Sequence, residues 1–152
     1  MTSTLTRGLV AGLVGTAFMT AVQELLGSSG SSGAEQPSWE NASAPAQVAR
    51  KALNAVGFDP PPSWIPFLMH AMHWGYGTSW GIAYTLARGD GSRGTIGEGV
   101  MFGGLVWVAS YVELVPLGIY EPPWKYDATT LAKDLGYHVA FGVGTATAAA
   151  AL

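Results

Sequence analysis

The sequence predicts an all-α fold, a four-transmembrane-helix bundle built from two tandem helical hairpins. Three observations predict it. Four apolar stretches, near 8–26, 66–87, 99–117 and 131–152, reach the ~20 residues a helix needs to cross a bilayer. Only 11% of the 152 residues are charged, less than half of the roughly 25% usual in a soluble domain. The pattern His-x-x-aromatic-Gly occurs once per half, as His73-Trp74-Gly75-Tyr76-Gly77 and His138-Val139-Ala140-Phe141-Gly142. Together they divide one integral membrane domain, 1–152, into repeat 1 (about 8–87, with a long outer loop 27–65) and repeat 2 (about 97–152).

The first span follows Arg7. A cleaved signal peptide is its rival reading, but Gly15-Thr16 and the Gln23-Glu24 pair interrupt the apolar run. The outer loop opens on a Gly/Ser run, Gly27 to Gly33, of flexible-linker composition. Ser43 to Gly57 reads as a short amphipathic helix on the membrane surface. Ser43 is its N-cap, Pro45 suits the first turn, Val48, Ala52 and Val56 form the apolar stripe, and Gly57 stops it. Pro60-Pro61-Pro62 forces extended chain before Trp64. The connection from Arg88 to Glu98 is short and polar. The last connection carries Pro116, Pro122 and Pro123, with Trp124 and Tyr126 as interface anchors and Asp127 as cap of the fourth helix. Arg7, Arg88 and Arg93 share one side. Lys125 and Lys133, with Arg50 and Lys51 in the long loop, take the other, where most acids also lie. This bias places both termini in the cytoplasm.

Small residues recur four apart in every span: Gly8 and Gly12, Gly77 and Gly81, Gly99 and Gly103, and Gly142 with Ala146 and Ala150. In lipid, helices gain little from burying apolar surface, so close backbone approach becomes the main source of contact. Two hairpins of the same orientation imply a parallel repeat about an axis along the membrane normal.

Ionisable groups sit where they are costly. His73 and His138 each fall roughly 21 Å above the cytoplasmic edge at 1.5 Å per residue, and Glu24 and Glu113 roughly 24 Å. The four therefore share one depth. His73 lies on a stripe with Gly77, Gly81 and Tyr84, and His138 on one with Asp134, Gly142, Thr145 and Ala149. Asp134, one turn before His138, is placed to fix its tautomer. His70 stands three residues before His73. The glutamates share stripes with Leu13, Ala17 and Thr20, and with Val106 and Ala109. Neutral imidazoles and carboxylates of this kind could hold a divalent metal, carry protons or ions, or, least favoured, ligate haem b through His73 and His138. The competing reading is structural: each histidine makes an interhelical hydrogen bond. Trp74, Trp80, Trp107 and Tyr111 are candidates for an aromatic pocket, and more ordinarily core or lipid-facing residues.

Several classes are excluded. The net charge of −3 and the lack of a basic stripe speak against nucleic acid. With no cysteine there is no disulfide, thiolate or Fe–S ligand. The glycine-rich run 97–104 lacks the lysine of a phosphate loop, and Ser79 and Ser110 lack a nucleophile elbow. No catalytic residue emerges, and an enzyme is the least favoured class.

The Gly-x-x-x-Gly-x-x-Gly-Thr run of the first span, paired with His-x-x-Tyr-Gly in the second, resembles small four-span bacterial inner-membrane proteins of the YagU type. The stretch from Trp124-Lys125-Tyr126 through Asp134-Leu135-Gly136-Tyr137-His138 is similar to actinobacterial members of that group. The resemblance implies a four-span fold in the inner membrane and assigns no catalytic residue. The long first loop departs from it. The expectation is a small membrane protein that binds an ion, proton or metal at its His/Glu cluster. The alternative is an accessory subunit of a larger membrane complex. Lipid is the expected surroundings, and a homo-oligomer or larger complex the expected assembly.

Overall fold

Each helix begins where a side chain or a proline satisfies its first turn. The computed structural model describes residues 3–27, 37–88 and 94–152. Ser3 starts α1 (Thr4–Gly27) by accepting from the Thr6 amide at 3.2 Å. Ser43 precedes α2 (Ala44–Ala55) in extended conformation without a side-chain cap, and Pro45 occupies its first turn. A 3-10 turn, Pro62–Trp64, leads into α3 (Ile65–Arg88). Thr95 and Glu98 form a reciprocal capping box at α4 (Ile96–Leu114). A second 3-10 turn, Pro123–Lys125, precedes α5 (Ala128–Ala151), capped by Asp127 Oδ1, which accepts from the Thr129 and Thr130 amides at 2.9 and 3.0 Å. There is no strand among the described residues. The Gly/Ser run 28–33 and Arg93, both used in the sequence reading, lie outside them.

Two boundaries differ from expectation for local reasons. α4 stops at Leu114 rather than Leu117, because Pro116 has no N–H to continue the ladder. Gly118 then turns at φ +65° while the Ile119 amide bonds the Leu114 carbonyl at 3.0 Å. α5 begins at Ala128 rather than Leu131, because the Asp127 cap supplies its own first turn.

α1 packs along α3 and along α5, and α5 also packs along α4. The glycines set these contacts. A Cβ at Gly12 would lie 2.7 Å from Thr78 Cα, and one at Gly8 2.6 Å from Ile82 Cα. On the other side, a Cβ at Gly103 would lie 2.7 Å from Val139 Cα, and one at Gly142 2.7 Å from Gly103 Cα. Six of the seven expected packing glycines, Gly8, Gly12, Gly81, Gly99, Gly103 and Gly142, stand at such contacts, and Gly77 faces the Thr16 side chain instead. Gly15, read in the sequence only as a break, sets the α1–α5 approach: its Cβ would meet the Phe141 carbonyl oxygen at 2.7 Å.

These contacts also set the register of the two helix pairs. Gly12 faces Thr78, and Gly103 faces Val139. His73 of α3 and His138 of α5 open onto one common cavity.

Between the helices the buried polar groups are Thr16, Thr85, Ser110 and Thr145. Each hydroxyl bonds a carbonyl of its own helix, as Thr16 does to Gly12 O at 2.8 Å and Thr145 to Phe141 O at 2.9 Å. The outward faces are apolar. On α4, Met101, Leu105, Val108 and Val112 are 79, 58, 52 and 68% exposed. Four spans were expected. By length and composition, one helix among the described residues, Thr4–Leu26, is long and apolar enough to cross a membrane. The histidines, hydroxyl residues and glycines of α3 and α5 lower their hydropathy, as do the glycines with Glu98 and Glu113 in α4.

The long loop folds back on the bundle rather than lying flat. Ala42, Ala46 and Ala49 are buried, whereas Ala52 and Val56 of the expected stripe are exposed. Arg50 pairs with Asp59 at 3.0 Å and covers the Trp39 ring at 4.7 Å. Trp39 Nε1 donates to the Pro60 carbonyl at 3.2 Å. Gly57, the expected stop, adopts φ +84°.

Two tests follow from this packing. Gly12→Val meets backbone that cannot swing aside and is expected to cost at least about 2 kcal/mol in thermal unfolding, whereas Gly75→Ala, with nothing within 4 Å, should be neutral or slightly stabilising. The Asp127 carboxyl is held below its ordinary 3.8 by the Thr130 hydroxyl and amide. Its contribution is full above that value and is lost as pH falls through the lower folded value. Asp127→Ala should therefore lower Tm at neutral pH, and the difference from wild type should shrink in acid.

Candidate functional site

Because α3 leans on α1 and α4 leans on α5, a gap remains between α3 and α4. Aromatic rings fill it toward one end. Tyr84 meets Phe102 at 4.7 Å between centroids, Trp80 meets Phe102 at 6.2 Å, and Phe102 meets Phe141 at 5.9 Å. Beyond this plug lies a cleft of about 220 Å³. Its walls are His73, Tyr76 and Trp80 of α3, and Val106, Ser110 and Glu113 of α4. Thr16 and Met19 of α1, with Asp134, His138 and Phe141 of α5, form its floor. Ala44, Pro45 and Val48 bring α2 over it. Tyr76 Oη donates to Glu113 Oε2 at 2.7 Å and so ties α3 to α4 across the gap.

The hydrogen bonds around the cleft assign the tautomers of neutral imidazoles. Thr20 has one hydroxyl proton, directed to the Thr16 carbonyl at 2.9 Å. Its oxygen must then accept from His73 Nε2, 3.1 Å away, which leaves His73 Nδ1 as an acceptor. His138 Nδ1 donates to the Asp134 main-chain carbonyl at 2.8 Å, which leaves Nε2 as its acceptor. The expected carboxylate contact is looser: Asp134 Oδ1 stands 3.5 Å from Nδ1. The helical carbonyl one turn back is the closer partner. Asp134 Oδ2 instead accepts from Trp107 Nε1 at 2.9 Å and Tyr111 Oη at 3.2 Å. Ser110 donates to the Trp107 carbonyl at 2.7 Å, so its lone pairs too are acceptors. Apart from the Gln23 amide, the polar groups left available on the cleft wall are mainly acceptors. Tyr120, in the turn after α4, also lines it, and burial pushes its phenol up to about 12, with the Asp134 charge adding to the effect.

The expected cluster is thus divided. His73, His138, Glu113 and Asp134 line the cleft. Glu24 and His70 are exposed and do not. Among the described residues no three His, Asp or Glu side chains are grouped to hold a metal ion. The exposed positions of Glu24 and His70 leave the expected cluster incomplete. Of the aromatic candidates, Trp80 lines the cleft, Trp107 and Tyr111 hold Asp134, and Trp74 takes no part in the wall.

Sequence reasoning missed Tyr76 and Ser110. Tyr76 is the aromatic of the first signature, a signal that was present, while Ser110 carried none.

The Tyr76–Glu113 bond should appear as a coupling. In a cycle of Tyr76→Phe, Glu113→Gln and the double variant, thermal unfolding is expected to give about 1 kcal/mol of interaction energy. Strict additivity would remove the strap.

Comparison with family models, with curated proteins and with solved structures gives no match, so the functional reading rests on the geometry of this chain.

Proposed function

We propose that the chain is a four-span membrane protein of two tandem helical hairpins, α1 with α3 and α4 with α5. Its α3–α4 cleft binds one small, largely apolar molecule that carries a hydrogen-bond donor. The membrane part is supported by the inverted pattern of the bundle, apolar outside with glycines and bonded hydroxyls inside. The uncharged stretch 8–23 of α1 is roughly 24 Å long and 99–112 of α4 roughly 21 Å, which cover most of the ~30 Å core of a bilayer. Trp64 and Trp124, 43 and 81% exposed, sit at the same end. Arg7 and Arg88 favour the cytoplasm for the other end, where both termini would lie.

The cleft carries the ligand reading. Apolar walls with a few converging polar groups are what a small-molecule site requires. A dry cavity of about 150 Å³ holds one benzene, so 220 Å³ suits one substituted ring. Acceptors at His73, Ser110 and His138 would select a hydroxyl or amine over a carbonyl, because two facing acceptors leave both unpaired.

Phenol and toluene, nearly equal in shape, test this. The purified protein should bind phenol up to about tenfold more tightly than toluene, read as saturable ligand-induced stabilisation. His138→Leu should erase the preference, and Val106→Trp should abolish binding of both while the protein still melts cooperatively. Equal affinity for the two ligands, or binding that survives Val106→Trp, would remove the cleft as the site. Release of the chain from membranes by an alkaline carbonate wash would overturn the membrane part separately.

A further inference from the structure

Asp134 faces a second cavity on the other side from the cleft. This shallow cup has a volume of about 320 Å³ and is lined by Tyr111, Tyr120, Tyr126 and Tyr137, with Lys133 and Asp134. The rings are inclined to one another. Tyr120 meets Tyr111 at 5.3 Å and 57°, and Tyr126 meets it at 6.3 Å and 79°. Tyr111 thus serves as a base with two walls rising from it. Hydroxyl bonds pin this frame. The Glu121 amide donates to Tyr126 Oη at 3.0 Å, and Tyr111 Oη donates to Asp134 at 3.2 Å.

The cup is bordered by one acid, Asp134, and one base, Lys133. Asp134 Oδ2 accepts from two neutral donors, Trp107 and Tyr111. Among the described residues its ion-pair neighbour is His138, whose Nδ1 proton goes to the main chain, and no lysine or arginine pairs with it. The Lys133 side chain is exposed at the rim. A carboxylate with no lysine or arginine partner, in a cup bordered by four tyrosine rings, attracts a cation. Tyr111 and Tyr126 already have their hydroxyls engaged, which leaves few oxygens for the close shell that a small hard metal ion needs. An alkylated ammonium needs no such shell and is attracted to aromatic faces.

We propose that the tyrosine cup on Asp134 is a binding site for a quaternary ammonium group, with the ring faces of Tyr111, Tyr120 and Tyr126 around the methyl groups and the Asp134 carboxylate as counter-ion. The proposal does not rest on the α3–α4 cleft reading, although Tyr120 and Asp134 border both cavities. The trimethylammonium group could belong to a small solute or to a lipid headgroup.

The probe is tetramethylammonium chloride, titrated into protein in a detergent without ammonium groups and followed by proton NMR of its methyl groups. Bound between ring faces, these protons should shift upfield and saturate, and equimolar potassium should not displace them. Tyr120→Leu and Asp134→Asn should each weaken binding about tenfold, while Tyr120→Phe, which keeps the ring face, should stay within about twofold. Lys133→Gln, which removes the competing cation at the rim, should strengthen binding. Nanodiscs separate the two sources. Weaker apparent binding in phosphatidylcholine than in phosphatidylglycerol supports the site with a lipid headgroup as occupant, and equal binding supports it with a free solute. The proposal is overturned if neither wild type nor Lys133→Gln gives a saturable upfield shift while the protein melts normally. It is also overturned if Tyr120→Leu binds as wild type does.

Discussion

Backbone-to-backbone approach at glycine is the constraint on which the rest of this structure depends. α1 presents Gly8 and Gly12 to α3 and Gly15 to α5, and α5 presents Gly142 to α4. A helix with side chains at these points would stand off by the width of at least a methyl group. The close crossings bind α3 and α4 tightly to different partners, and thereby keep them apart from each other. The cleft is the consequence. Large rings fill part of the gap, and the remainder is roofed by the helix inserted between α1 and α3.

The second organising feature is how polar groups are satisfied within the bundle. Thr16, Ser110 and Thr145 turn to carbonyls of their own helices, whereas the Thr85 hydroxyl also reaches the Thr4 carbonyl of α1 at 3.2 Å. The carboxylates differ. Glu113 receives the Tyr76 phenol across the gap, and Asp134 receives the Trp107 indole and the Tyr111 phenol from α4. In both cases an aromatic donor, not a cation, meets the acid. Asp134 consequently forms part of two cavities at once, with His138 on one side and the tyrosine cup on the other.

The two histidines illustrate how one short signature can have two environments. His73 donates across to Thr20 of α1, whereas His138 donates along its own helix. Counting from the chain ends places them at one depth. Both border the same cleft, each held by a different hydrogen bond.

Much of the fold is written in the sequence. The four long apolar segments, the Asp127 cap and the glycines at four-residue spacing are local properties. A helix obeys local rules, since each of its hydrogen bonds spans four residues. Partner choice and register are not local. Nothing near Gly15 in the chain indicates that it will face Phe141, and nothing near Ala46 and Ala49 indicates that they, rather than Val48, Ala52 and Val56, will be buried. Four of the six chemically marked residues converge on the cleft. Glu24 and His70 do not, because the side a helix turns inward depends on which neighbour its glycines meet. The sequence by itself determined an all-helical chain with its polar chemistry concentrated toward one end. Only the tertiary structure decided which helices touch, where the gap between them falls, and which histidines, acids and rings border it.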